Sequence, residues 1–155
     1  MKLFIQQRKI VAALAIVLFF CANSVVIVEA TKDQARSTLL LTIQGLKQVT
    51  PSLKDRRAYR TGAINEGYER TITENLQGGT KYIIMAVGCS SVGDLDIKLY
   101  DQSGEKISED VTDDTNPAVS VTPPADGAYT VKIQMLDTKG ENPGHFAYQV
   151  FYLSQ

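Results

Sequence analysis

Between residues 68 and 153 the chain breaks into short segments, several of which carry apolar side chains at every second position, and this alternation confines most of the chain to β-structure. Leu95, Ile97 and Leu99 alternate with Asp96, Lys98 and Tyr100. Tyr129, Val131, Ile133 and Met135 alternate with Thr130, Lys132 and Gln134, and Phe146, Tyr148, Val150 and Tyr152 share one side of the final segment. Lys81 to Val87 departs from the pattern. Its Tyr-Ile-Ile-Met-Ala-Val run is apolar on both faces, as in a central strand of a sandwich. Weaker strands are expected at Tyr68–Leu76, Glu105–Glu109 and Ala118–Thr122. Gln77-Gly78-Gly79-Thr80, Asp101 to Gly104 and Pro123-Pro124 supply the turn chemistry between them. About seven short strands separated this way predict a mainly β fold, an antiparallel β-sandwich or jelly-roll-like arrangement.

Ahead of these strands the period changes. Ala35, Leu39, Ile43, Leu46 and Val49 recur at spacings of three and four, with Leu40 and Leu41 widening the apolar face. Thr31 or Asp33 can cap the start and Pro51 ends it, so the spacing predicts one amphipathic helix over Lys32 to Val49. Ser52 to Arg60 shows no periodicity and reads as a basic connector, either a solvated loop or a contact for an anionic surface.

The first thirty residues follow another rule. Lys2, Arg8 and Lys9 precede an apolar run from Ile10 to Phe20, and a second apolar patch ends in Val28-Glu29-Ala30. Positive charge, an apolar centre and small residues before a cut site mark a secretory signal peptide. Cleavage is expected after Ala30, with Ala22 and Ser24 as alternative sites. A lipoprotein reading on Cys21 conflicts with the bulky Phe20 before it, and Asn23 and Ser24 interrupt the run needed for an uncleaved anchor. The expected organisation is residues 1–30 as signal peptide, 31–65 as helix and connector, and 66–155 as sandwich domain. Cleavage would limit membrane contact to the signal peptide and put the remaining 125 residues in the periplasm or outside the cell. Those residues keep one cysteine, Cys89, and so have no internal disulfide. Their net charge of −3 argues against nucleic acid as a partner. The charge is segregated: +5 over residues 32–60 and −7 over residues 89–126.

The acidic stretch holds the candidate site. With Leu95, Ile97 and Leu99 facing the core, Asp94 and Asp96 both point the other way, about 7 Å apart. The loop bearing Asp110, Asp113 and Asp114 can fold over them. Carboxylates brought together repel unless a cation joins them, and calcium takes six to eight oxygens from such loops. Those five aspartates are therefore the candidate calcium ligands, against the alternative of a solvated loop built on Asx turns. The spacing is not that of an EF-hand. His145, the single histidine, has neither a zinc set nor a nucleophile-elbow motif around it. A glycosidase-like pair drawn from the same carboxylates lacks a tryptophan platform, since the chain has no Trp.

Gly93-Asp94-Leu95-Asp96-Ile97-Lys98-Leu99-Tyr100-Asp101 is followed in order by the turn Ser103-Gly104, the acidic run Glu109 to Asp114, Val119-Ser120-Val121-Thr122-Pro123 and Gly127-Ala128-Tyr129-Thr130-Val131. Over residues 66 to 153 this order resembles the bacterial pre-peptidase C-terminal domain family. The resemblance implies a β-sandwich and an exported, usually non-catalytic role. Stand-alone relatives with an N-terminal helix often pair cysteines around the Asp-Leu-Asp strand, whereas Ser90, Ser91 and Gly93 surround Cys89 here. The expected function is a non-enzymatic binding or structural module for a protein or glycan ligand. A calcium-dependent adhesion module and a small hydrolase on the acidic cluster are the alternatives.

Overall fold

The computed structural model describes residues 31–154. The expected signal peptide therefore lies outside the described residues. Helix α1 (Lys32–Val49) begins where Thr31 Oγ1 accepts the Gln34 N–H at 3.3 Å and ends where Thr50 N–H donates to Leu46 O ahead of Pro51. Nine strands follow: β1 (Leu53–Asp55), β2 (Arg60–Ile64), β3 (Glu69–Leu76), β4 (Tyr82–Gly88), β5 (Asp94–Tyr100), β6 (Lys106–Asp110), β7 (Ala118–Val121), β8 (Gly127–Asp137) and β9 (Gly144–Leu153). All pairings are antiparallel. A five-stranded sheet runs β1-β9-β4-β7, with β2 beside β1 on the same edge of β9. A four-stranded sheet runs β3-β8-β5-β6. The fold is a mainly β sandwich, as the alternation predicts.

Two expectations are corrected. The stretch read as an aperiodic connector contains β1 and the start of β2, which pair with Phe151–Leu153 and with residues 144–148 of β9. Short edge strands bury only one or two residues each, here Leu53 and Ile64, which leaves no repeat to detect. The apolar face of α1 is also narrower than expected. Ala35, Leu39 and Ile43 are buried and Leu46 packs against them, but Leu41 and Val49 are 70% and 79% exposed. At about 100° per residue, Leu41 sits some 200° from Leu39 and so faces water. Val49 is the last helical residue, where the chain turns away through Thr50 and Pro51.

The helix explains the doubly apolar fourth strand. Tyr82, Ile84 and Ala86 share a face with Phe146, Tyr148 and Val150, and this face meets the four-stranded sheet, since Tyr148 Oη donates to Glu74 of β3. Met85, Val87, Ala147 and Phe151 lie on the opposite face, and α1 packs on β9, β4 and β2. Polar contacts pin the helix at both ends. Ser90 N–H and Oγ donate to Gln34 Oε1, and Lys47 Nζ lies 2.6 Å from Asp55 Oδ2. Among the described residues nothing covers the four-stranded sheet in this way, and its outer face is polar, with Lys132 bonded to Glu69 and Lys98 to Gln134.

If α1 is part of the core, Leu39→Ala should lower the unfolding free energy by about 2–5 kcal/mol in urea denaturation. Leu41→Ala should change it by less than about 0.5 kcal/mol. Equal effects would detach the helix from the fold.

Candidate functional site

The predicted acidic residues lie at one edge of the four-stranded sheet. Asp94 opens β5 opposite Asp137 of β8, and a register shift follows between Asp94 and Leu95. A Cβ at Gly93 would overlap the Asp137 carboxylate, which would have to move to admit a side chain there. The 110–118 loop is tied to the same strand, Leu95 N–H donating to Asp114 O at 2.9 Å. Burial raises the Asp94 pKa above its ordinary value, and the carboxylates of Asp96, Asp113, Asp114 and Asp137 raise it further. Asp96 is only 4% exposed although it points away from the core. Burial raises its pKa too, opposed by Lys98, whose Nζ lies 3.5 Å from Asp96 Oδ2. One oxygen of each, Asp94 Oδ1 and Asp96 Oδ1, is buried without a hydrogen-bond partner among the described residues.

The other three aspartates behave as turn residues or lie on the surface. Asp110 accepts from Thr112 N–H and Oγ1 on one oxygen and from Ala118 N–H on the other. Burial opposes ionisation of Asp110, but those bonds outweigh it and hold its carboxyl below the usual range. Asp114 accepts from Asn116 N–H at 2.7 Å and from Thr112 Oγ1 at 3.0 Å, and Asp113 is exposed. Among the described residues, no three His, Cys, Asp or Glu side chains form a set that could hold a metal ion. His145 is half-buried in β9, and Cys89 is buried with its Sγ 3.2 Å from Ser91 Oγ.

A second charged region, to which the basic connector contributes Arg56, Arg57 and Arg60, occupies the opposite edge of that sheet. Along β3 the inward positions are Arg70, Ile72, Glu74 and Leu76, so two charged side chains point between the sheets. Glu74 has no solvent exposure. It accepts from Tyr148 Oη at 3.1 Å, pairs with Arg56 Nη1 at 3.2 Å and forms an ion pair with Arg57. Arg56 also donates to Asn75 O and lies over the Tyr82 ring. Burial pushes the Tyr148 phenol well up, against the pull of Arg57, Arg60 and Arg56. The Arg57 pKa is lowered by burial and by Arg60 and Arg56 beside it, a sign of crowded like charge.

Beyond this cluster the sandwich is open. Arg60 and Thr61 of β2, residues 70–73 of β3 and Phe146 of β9 line a cleft of about 440 Å³. Gly62 permits its narrow end. A Cβ there would come within 2.7 Å of the Phe146 ring and 2.8 Å of Arg70 Nη1. Among the described residues, Arg56 and Arg57 pair with Glu74, while no carboxylate lies within 4.0 Å of the Arg60 or Arg70 guanidinium. The sequence signal for this site was the charge excess over residues 32–60, and only the phase of β3 places Arg70 beside it.

No protein-family model and no curated protein matches the chain. Among solved structures it is similar to the pre-peptidase C-terminal domain of a collagenase from Bacillus anthracis, at 14% identity and a TM-score of 0.49, covering 60% of this chain and 87% of that one. It is also similar to a periplasmic inhibitor of g-type lysozyme from Aeromonas hydrophila, at 18% identity and a TM-score of 0.45, covering 60% and 84%. A mitogen from Yersinia pseudotuberculosis gives 14% identity and a TM-score of 0.47, covering 66% and 88%. With identities this low and TM-scores below 0.5, the chemistry has to be read from this chain's own residues.

Glu74→Gln leaves two buried-edge guanidiniums without their counter-charge and should cost on the order of 3 kcal/mol in chemical denaturation. The acidic edge carries the opposite sign. Because the folded state raises the Asp94 pKa, its penalty is absent below the unfolded value of 3.8 and grows as pH rises through the folded pKa. Asp94→Asn should therefore raise Tm at pH 7, with the gain shrinking on acidification. A lower Tm for the variant at pH 7 in EDTA would contradict this assignment.

Proposed function

We propose that this chain is an exported, non-enzymatic β-sandwich module of the pre-peptidase C-terminal type that binds an anionic ligand at the cleft between β2 and β3. The observation that carries this reading is the pair Arg60 and Arg70, both facing the cleft without a carboxylate partner among the described residues. Arg56 and Arg57 stand behind them with Glu74 as their shared counter-charge, so the edge keeps an excess of positive charge. A guanidinium presents a planar fork of donors that matches carboxylate, sulfate or phosphate, and its attraction grows where water is partly excluded. The N-terminal pattern of charge, apolar run and Val28-Glu29-Ala30 supports export, and the motif order over residues 66–153 supports the module type.

Titration with sodium sulfate, followed by two-dimensional NMR and thermal unfolding, tests the cleft. Saturation at about 100 times Kd should add roughly 2.7 kcal/mol of stability. The gain should vanish in the double variant Arg60→Gln/Arg70→Gln. Shifts no larger than those from chloride at equal ionic strength would refute it.

A second reading, a calcium-dependent module, has its own support in the partnerless oxygens of Asp94 and Asp96. Those two carboxylates would hold the ion with Asp113 and Asp114 as neighbours, while both oxygens of Asp110 are engaged within its own loop. A bound cation would neutralise the cluster that raises the Asp94 pKa. Millimolar calcium should then raise Tm over EDTA, and Asp94→Asn should abolish the response. An unchanged Tm removes this reading and leaves the first intact.

A further inference from the structure

We infer that the cleft takes an extended acidic segment of a partner protein, added as a strand along the free edge of β3. This rests on the anionic-ligand reading of the same cleft and specifies its ligand. The four consecutive residues Arg70, Thr71, Ile72 and Thr73 border the cleft. Successive side chains on a strand point to opposite faces, so four in a row cannot all project into one space. The wall they make is the edge of the strand, its N–H and C=O groups included. Among the described residues, β3 is the terminal strand of its sheet, and β2, across the cleft, borders β9 alone.

The other edges of the sandwich are blunted. β6 has five residues and a register shift opposite Leu99 and Tyr100, and β7 has four residues. Short or bulged edge strands resist pairing with another chain. By contrast β3 has no glycine or proline, and although Arg56 takes the Asn75 carbonyl at one end, the cleft borders it along Arg70 to Thr73, centred on the β-branched Thr71-Ile72-Thr73. Its guards are Arg70 and, across the cleft, Arg60. Guards of one sign select rather than exclude, since they repel a basic strand and attract an acidic one. Strand addition obtains affinity from main-chain hydrogen bonds and specificity from alternate side chains, here carboxylates about 7 Å apart facing guanidiniums.

Two competing occupants fit less well. A sugar ring would want an aromatic platform, and the single ring at the cleft, Phe146, is 2% exposed. A second copy would have to offer its own acidic loop, but Asp110 and Asp114 hold that loop folded through Thr112, Asn116 and Ala118.

The test uses the intact protein and a fluorescent, end-capped octapeptide of alternating Glu and Val, read by anisotropy at low salt. Saturable binding is expected, with amide shifts along residues 69–76. An analogue N-methylated at alternate backbone positions keeps the charge but loses the donors and should bind about tenfold weaker or worse. Arg70→Gln should weaken binding of the parent peptide by a similar factor, and Arg60→Gln serves if that variant does not fold. Equal binding of the N-methylated analogue would overturn the inference. So would a heparin disaccharide that binds more tightly than the peptide, or concentration-dependent self-association that the peptide does not displace. Absence of peptide binding while sulfate still binds would sink strand addition and leave the anion cleft standing. Failure of both would remove the two together.

Discussion

A carboxylate withdrawn completely from water must be neutralised where it stands, because burying an unpaired charge costs more than any single contact in a small domain returns. Glu74 is in that position, and its partners come from separate parts of the chain: Arg56 and Arg57 between β1 and β2, and Tyr148 in β9. Its ion pairs join the two sheets at their open edge and hold the 56–60 segment against it. The geometry of the cleft follows. Once Arg56 and Arg57 are committed to Glu74, Arg60 and Arg70 are the guanidiniums left to face outward.

The five-stranded sheet is buried on both sides, by α1 on one face and by the four-stranded sheet on the other. This makes the domain three layers deep and gives β4 and β9 an almost wholly buried run from residue 84 to 88 and from residue 146 to 151. Among the described residues, the four-stranded sheet is covered on one face only. The sheet is polarised in charge across its width. Its β5–β6 edge gathers Asp94, Asp96, Asp110, Asp113 and Asp114, and its β3 edge adjoins the arginines. Separation across the width of a sheet lets two charged regions of opposite sign coexist without collapsing onto each other.

The two regions differ in how they are satisfied. At the acidic edge, like charges crowd together and raise the Asp94 pKa, so the folded state carries an electrostatic cost that protonation or a cation would relieve. At the basic edge, one buried carboxylate offsets two guanidiniums, and the remaining two meet a cleft bordered by strand edges. The first arrangement makes stability depend on pH. The second leaves guanidinium donors facing the cleft.

Period-2 alternation was sufficient to read β5 and β8 and the sandwich class, because both strands face core on one side and something polar on the other. β9 was legible from Phe146, Tyr148, Val150 and Tyr152, although α1 covers its second face. The 3.6-residue period did the same for α1, although it overstated the apolar face at Leu41 and Val49, which periodicity alone does not distinguish from Leu39 and Ile43. The acidic aspartates were also legible, since they are close in sequence. What the chain did not disclose linearly was β1, β2 and the arginine cleft. Strands that bury one or two residues leave no period, and Arg60, Arg70, Glu74 and Tyr148 come together only when β2 and β3 close over β9. Local pattern determined the elements and the charge of each segment. Tertiary pairing alone decided which charges were neutralised and which were left facing a cleft, because neutralisation depends on distances between residues far apart along the chain.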